Sequence, residues 1–157
     1  MIRGRQRQAT EIRATLNAMW ERLEAATEQD MRSIGARLAK RWSRGQVVYL
    51  AGPLGAGKTT LVRGVLESLG FKEGVRSPTF NLLQVFDTDP PVLHADLYRV
   101  KSYQGIGIED YLETHLILLE WPDRADGLLP DEDIWRVNID FAGSGRTVNV
   151  RPPSKLA

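Results

Sequence analysis

Apolar residues recur along this chain with two different periods, and the changes from one to the other outline its elements. Met31, Ile34, Leu38 and Trp42 fall three to four residues apart, the spacing of one helical face. Thr27 precedes the stripe, Asp30 sits in its first turn and Gly45 follows it, so a capped helix is predicted over residues 28–44. Val47-Val48-Tyr49-Leu50-Ala51 is instead a continuous β-branched and apolar run, suited to a buried strand. Val62, Val65, Leu66 and Leu69 then return to helical spacing, and Gly70 stops them.

Further on, short strands are predicted at 82–86, 92–99 and 116–120, with a turn over 87–91 and a short helix over 108–113. Residues 134–141 and 147–150 alternate around Ala142-Gly143-Ser144-Gly145-Arg146, which reads as two strands and a turn. Ile12, Leu16, Met19 and Leu23 have helical spacing behind the basic Arg3, Arg5 and Arg7. They predict an appended amphipathic helix over 1–25, leaving 26–157 as the globular domain. Helices flanking several apolar strands predict an α/β fold, a three-layer sandwich around a parallel or mixed sheet.

Composition narrows the partners. At 157 residues one domain with a sizeable core is expected. With 21 basic and 20 acidic residues the formal net charge is +1, so no overall field favours DNA, RNA or a membrane, and any RNA connection is indirect or local. The absence of cysteine excludes disulfides and thiolate chemistry. No apolar run reaches membrane-spanning length and no signal-type segment occurs at Met1, so a cytoplasmic location is expected.

The chemistry centres on Gly52-Pro53-Leu54-Gly55-Ala56-Gly57-Lys58-Thr59-Thr60, which satisfies G-x-x-x-x-G-K-[ST] between a strand and a helix. Such a loop turns backbone N–H groups toward phosphates, the lysine adds charge, and the Thr59 hydroxyl can ligate Mg²⁺. A helix N-terminus directly after it favours an anion. A metal held there needs an acid from a neighbouring strand end, and two apolar runs deliver one: Asp96 and Glu120. The cleaner run precedes Glu120, which is assigned to the metal directly or through water; Asp96 is expected to orient water or to stand behind the metal's ligands. His94 shares a strand face with Asp96 by the two-residue period and is read as a packed histidine. Ser77-Pro78-Thr79 is either a switch that senses phosphate or metal or an ordinary turn. Trp121 is either core or an aromatic that senses nucleotide or partner.

Taken in order, Gly52 to Thr60, Ser77-Pro78-Thr79-Phe80, His94-Ala95-Asp96-Leu97-Tyr98-Arg99 and Leu119-Glu120-Trp121-Pro122 closely resemble the TsaE (YjeE) family over residues 27–151. The resemblance implies a P-loop NTPase-like fold and a small ATPase of the bacterial tRNA threonylcarbamoyladenosine machinery. It further implies that the chain works with TsaB and TsaD, hydrolyses ATP between turnovers, and meets tRNA only through that complex. Carried over by position, Leu54, Gly55, Ala56, Gly57, Lys58, Thr59 and Thr60 hold the phosphates, Thr59 and Glu120 hold Mg²⁺, and Lys58, Asp96 and Glu120 serve catalysis. The same resemblance places Glu28 and Gly145, with Arg146, beside the nucleoside. The chain departs from the family in Pro53 where Asp is usual, in a short link from Tyr98 to Ile108, and in residues 1–25. Three rivals stand beside this reading: a small P-loop kinase, for which no lid or acceptor pocket is evident in the sequence; a guanine switch, which lacks an Asn-Lys-x-Asp motif; and a scaffold that binds nucleotide without hydrolysing it.

Overall fold

The computed structural model describes residues 4–11, 19–72 and 82–156. Among them seven strands form one mixed sheet in the order β1-β7-β6-β2-β5-β4-β3. In chain order these are β1 (Glu21–Ala25), β2 (Val47–Ala51), β3 (Leu83–Phe86), β4 (Val92–Asp96), β5 (Leu116–Glu120), β6 (Ile134–Ala142) and β7 (Gly145–Arg151). The inner strands β6, β2, β5 and β4 are parallel, while β3, β7 and β1 add antiparallel edges. All five residues of β5 are buried, the reason its sequence is a continuous apolar run rather than an alternation.

Two helices, α1 (Glu28–Ala39) and α2 (Lys58–Ser68), cover one face of the sheet. Their Met31, Ile34, Leu38, Leu61, Val65 and Leu66 pack on Val48, Leu50, Leu118 and Val137. On the opposite face Val47, Tyr49, Leu93 and Leu119 pack on Tyr103, Ile108 and Ala125, carried by loops and short 3₁₀ turns. The three layers are therefore present, with turns in place of long helices on the second side. The α1 cap follows the sequence: Thr27 Oγ1 accepts from Asp30 N at 3.1 Å and Asp30 Oδ2 accepts from Thr27 N at 3.1 Å. The helix ends at Ala39, earlier than expected, and Trp42 stays buried beyond it.

Helices α1 and α2 touch backbone to backbone. A Cβ placed on Gly35 would collide with the Leu61 carbonyl oxygen, and one on Gly64 with the Arg32 carbonyl oxygen. This crossing sets α2, and the loop before it, against the sheet.

The N-terminal expectation needs a correction. Residues 4–11 are helical, but Glu21–Ala25 is strand β1, with Leu23 opposite Val148 on β7. Arg22 and Glu24 are exposed while Leu23 and Ala25 turn inward, so a two-residue alternation overrides the helical spacing of Met19 and Leu23 once β7 offers a free edge. Part of the stretch expected as an appended helix thus belongs to the sheet. No helix among the described residues is long and apolar enough to cross a membrane.

Candidate functional site

Strand β2 ends at Ala51 and α2 starts at Lys58, so residues 52–57 must turn the chain within six positions. Gly57 makes the last step at φ 114°, in the region where a side chain is strained. No side chain caps α2 there, which leaves the first N–H groups of the helix facing the loop's hollow. Lys58 Nζ donates to the carbonyl oxygens of Gly52 and Pro53. The Pro53 carbonyl also accepts from Ala56 N at 3.1 Å, so proline at this position keeps the turn's hydrogen bond although it brings no N–H of its own.

The strand register brings the acids to this loop. On adjacent parallel strands Asp96 lies opposite Glu120, and Glu120 lies opposite Leu50 of β2. Both carboxylates therefore stand at the carboxyl ends of the strands, where ligands bind in open α/β sheets. With Lys58, Thr59 and Thr60 they line a pocket of about 260 Å³ together with Tyr98 and Trp121. Burial lowers the Lys58 pKa, and the nearby Glu120 and Asp96 charges work in the opposite direction. Asp96 Oδ1 accepts from Tyr98 N at 3.0 Å. Glu120 is 3% exposed and His94 fully buried. Their Oε2 and Nε2 atoms are 2.8 Å apart. His94 is packed, as the sequence reading has it, and it also has a specific partner.

Trp121 belongs to the core and also faces the pocket. It is half-buried, packs with the second-face core and lines the pocket of Lys58, Asp96 and Glu120. Lys58 Nζ stands 4.7 Å from its ring centroid and the Tyr98 ring is at 4.8 Å. Its φ of 61° makes it the one non-glycine residue in the left-handed region among the described residues.

On the far side of the loop a second hollow of about 200 Å³ is lined by Glu28, Met31, Gly55, Gly57, Thr60 and Gly145 among others. The structure thus brings Glu28 and Gly145 together. Arg146 lines the same hollow: its Nε donates to Ala56 O at 3.1 Å and the guanidinium stands over Phe141 at 4.4 Å. Arg146 and Ala56 lie 90 positions apart in the chain, so the family resemblance and the hairpin turn point to the residue but not to its bond with the loop. Ser77 and Thr79 lie outside the described residues.

A larger cavity of about 670 Å³ opens on the second face, where Tyr49, Pro53, Trp121, Asp126 and Arg136 line it. Burial pushes the Tyr49 hydroxyl pKa up to about 12, against the Arg136 charge. No local pattern along the chain points to this space. It shares only Trp121 with the pocket of Lys58, Asp96 and Glu120.

Chemically, the pocket combines uncapped helix N–H groups, a lysine, a hydroxyl and two carboxylates. No cluster of three or more His, Cys, Asp or Glu side chains suited to a metal occurs among the described residues. Thr59, Glu120 and Asp96 are hard oxygen donors, too few for an all-protein cage and suited to a divalent cation that also takes phosphate oxygens.

The model of the family "Threonylcarbamoyl adenosine biosynthesis protein TsaE" matches residues 25–148. The tRNA threonylcarbamoyladenosine biosynthesis protein TsaE of Haemophilus influenzae is 41% identical over 115 residues, 70% of this chain and 72% of that protein. The protein of the same name from Streptomyces coelicolor is 38% identical over 128 residues, covering 77% of this chain and 86% of its own. Among solved structures, Bacillus subtilis YdiB superposes with a TM-score of 0.76 at 26% identity, over 87% of this chain and 88% of that one.

Proposed function

The chain belongs to the TsaE family, with its role in tRNA threonylcarbamoyladenosine biosynthesis, and from that premise we propose that it is the Mg²⁺-dependent ATPase of that machinery, activated by TsaB–TsaD and resetting the complex between turnovers. The observation that carries this reading is the meeting of Lys58, Thr59, Asp96 and Glu120 in one pocket at the start of α2. A nucleotide-binding fold alone is shared by many functions; a lysine and two strand-end acids around an uncapped helix N-terminus are the parts that phosphoryl transfer uses.

In this reading the N–H groups of residues 54–60 hold the phosphates, and the hollow between Glu28 and Gly145 takes the nucleoside. Lys58 leaves the Gly52 and Pro53 carbonyls to reach phosphate oxygens. Thr59 and Glu120 would hold Mg²⁺, which when bound supplies charge neutralisation at the phosphates. Asp96, less buried than Glu120, orients the attacking water and accepts its hydrogen bond. Because positioning and charge stabilisation supply most of the catalysis, and the pocket is open beside Tyr98 and Trp121, a partner that closes over it raises the rate. Contact with tRNA is made through the complex, consistent with the near-zero net charge.

Reconstituted tRNA modification with and without this chain tests the role. Sustained multiple turnovers only in its presence, dependent on hydrolysable ATP, support it; equal yields without it would remove the resetting role. A second reading, a small kinase, draws on the 670 Å³ cavity beside Pro53 and Trp121. Transfer of labelled phosphate to an acceptor, rather than its release as inorganic phosphate, would favour that alternative.

A further inference from the structure

We propose that His94 is a positioning residue: its Nε2 holds the Glu120 carboxylate toward the phosphate pocket and thereby sets how strongly a divalent cation tightens nucleotide binding. The inference rests on the reading of Glu120 as the cation-side acid.

The placement follows from the sheet. His94 and Asp96 project from one face of β4, and Leu118 and Glu120 from the same face of β5, with His94 opposite Leu118 and Asp96 opposite Glu120. Glu120 reaches back diagonally, and its Oε2 comes to 2.8 Å from His94 Nε2. A carboxylate with a relative exposure of 3% is costly without a donor, and His94 supplies it. That bond engages Oε2 and leaves the other oxygen for the pocket that Glu120 lines.

The histidine's own surroundings fix its role. Nδ1 has no hydrogen-bond partner among the described residues. A carboxylate only accepts, so the hydrogen sits on Nε2 and Nδ1 remains a bare acceptor; the other tautomer would bury an orphan N–H and set two acceptors against each other. On a face otherwise built from Val92, Leu116 and Leu118, an aliphatic side chain would pack without any orphan. What the imidazole adds is one directed hydrogen bond.

Lys58 gives that bond its consequence. The Glu120 and Asp96 charges both act on the Lys58 ammonium across the pocket. Released from His94, Glu120 is free to turn onto Lys58, and the resulting ion pair would withdraw both groups from the phosphate. Groups that hydrogen-bond a metal-ligating side chain typically carry 10–100-fold in metal affinity or activity.

The test is the affinity for a fluorescent ATP analogue in Mg²⁺ and in EDTA, read as a ratio. His94→Leu is expected to lower the ratio by about 10–100-fold, with a smaller loss of the EDTA affinity as Glu120 draws Lys58 from the phosphate. His94→Gln, whose amide can donate from near the Nε2 position, is expected to restore most of it; this variant also serves if His94→Leu fails to fold, which a thermal melt reports. Glu120→Gln is expected to lose the Mg²⁺ dependence, and adding His94→Leu to it should cost nothing more, the non-additivity of a coupled pair. His94 variants that keep the wild-type ratio while Glu120→Gln loses it overturn the role of His94 alone. A Glu120→Gln protein that keeps the ratio overturns the assignment of Glu120 and the proposal with it.

Discussion

Arg146 Nε lies 3.1 Å from the carbonyl oxygen of Ala56, joining the start of β7 to the phosphate loop. The same guanidinium reaches Gly55 O at 3.4 Å and stands over Phe141. The hairpin therefore acts as a brace for the loop, and the β6–β7 turn, only Gly143 and Ser144 wide, fixes where the brace sits. Replacing Arg146 by alanine is expected to weaken ATP binding by about tenfold, the value of one charge-assisted hydrogen bond, with the melting temperature nearly unchanged. Isothermal titration with ATP checks this; wild-type affinity in the variant would mean that the loop holds its shape alone.

The crossing of α1 and α2 allows no side chain at Gly64, whose Cβ would run into the Arg32 backbone. Gly64→Ala is expected to destabilise the fold by about 1–3 kcal/mol, the usual cost of overpacking, although alanine is the better helix former. Urea unfolding measures it. A neutral or stabilised variant would show that the helices can separate without loss.

Trp121 should report on the pocket, because nucleotide binding draws Lys58 away from the ring it faces at 4.7 Å. Addition of ATP is expected to change tryptophan emission, and Trp121→Phe to abolish most of that change while keeping the affinity within a few-fold. Trp42 and Trp135, both buried, pack against each other at 6.2 Å and do not line the pocket. A full signal in Trp121→Phe would place the sensing tryptophan elsewhere.

Asp131 links acid stability to the C-terminal strands. Hydrogen bonding from Arg136, at 2.6 Å, holds its carboxyl below the ordinary range, with the Arg136 and Arg151 charges adding to it and burial opposing. A folded pKa below the unfolded 3.8 means that the folded state binds fewer protons. The contribution is therefore present above the unfolded value and lost as pH falls through the folded one. Asp131→Asn is expected to lower stability near neutrality by less than about 1 kcal/mol, because the carboxylate is exposed, and to flatten the acid limb of melting temperature against pH. An unchanged acid limb would assign it to other carboxylates.

Contiguous chemistry was legible in the sequence, and chemistry made by register was not. The loop at Gly52 to Thr60, the Thr27 cap and the acids ending β4 and β5 each show in a few neighbouring residues, because strand, turn and helix signals adjoin there. The His94 to Glu120 bond joins residues 26 positions apart and depends on which strands pair and in what register. Arg146 on the loop depends on β7 returning beside it. The spacing of Met19 and Leu23 predicts helix where β1 forms, because the inward turn of Leu23 and Ala25 has meaning only beside β7. The cavity by Tyr49 and Arg136 is formed by segments that no local pattern brings together.

The proposed function stands or falls on ATP hydrolysis by the pocket of Lys58, Asp96 and Glu120 under the control of TsaB–TsaD. The most direct measurement is steady-state phosphate release by the chain alone and with TsaB–TsaD, for wild type, Lys58→Ala and Glu120→Gln. Slow turnover is expected alone, with at least tenfold acceleration by the complex, on the order of what one added charge-stabilising group contributes, and loss of about 100-fold or more in both variants. Hydrolysis that persists in both variants, or that ignores TsaB–TsaD, would contradict it.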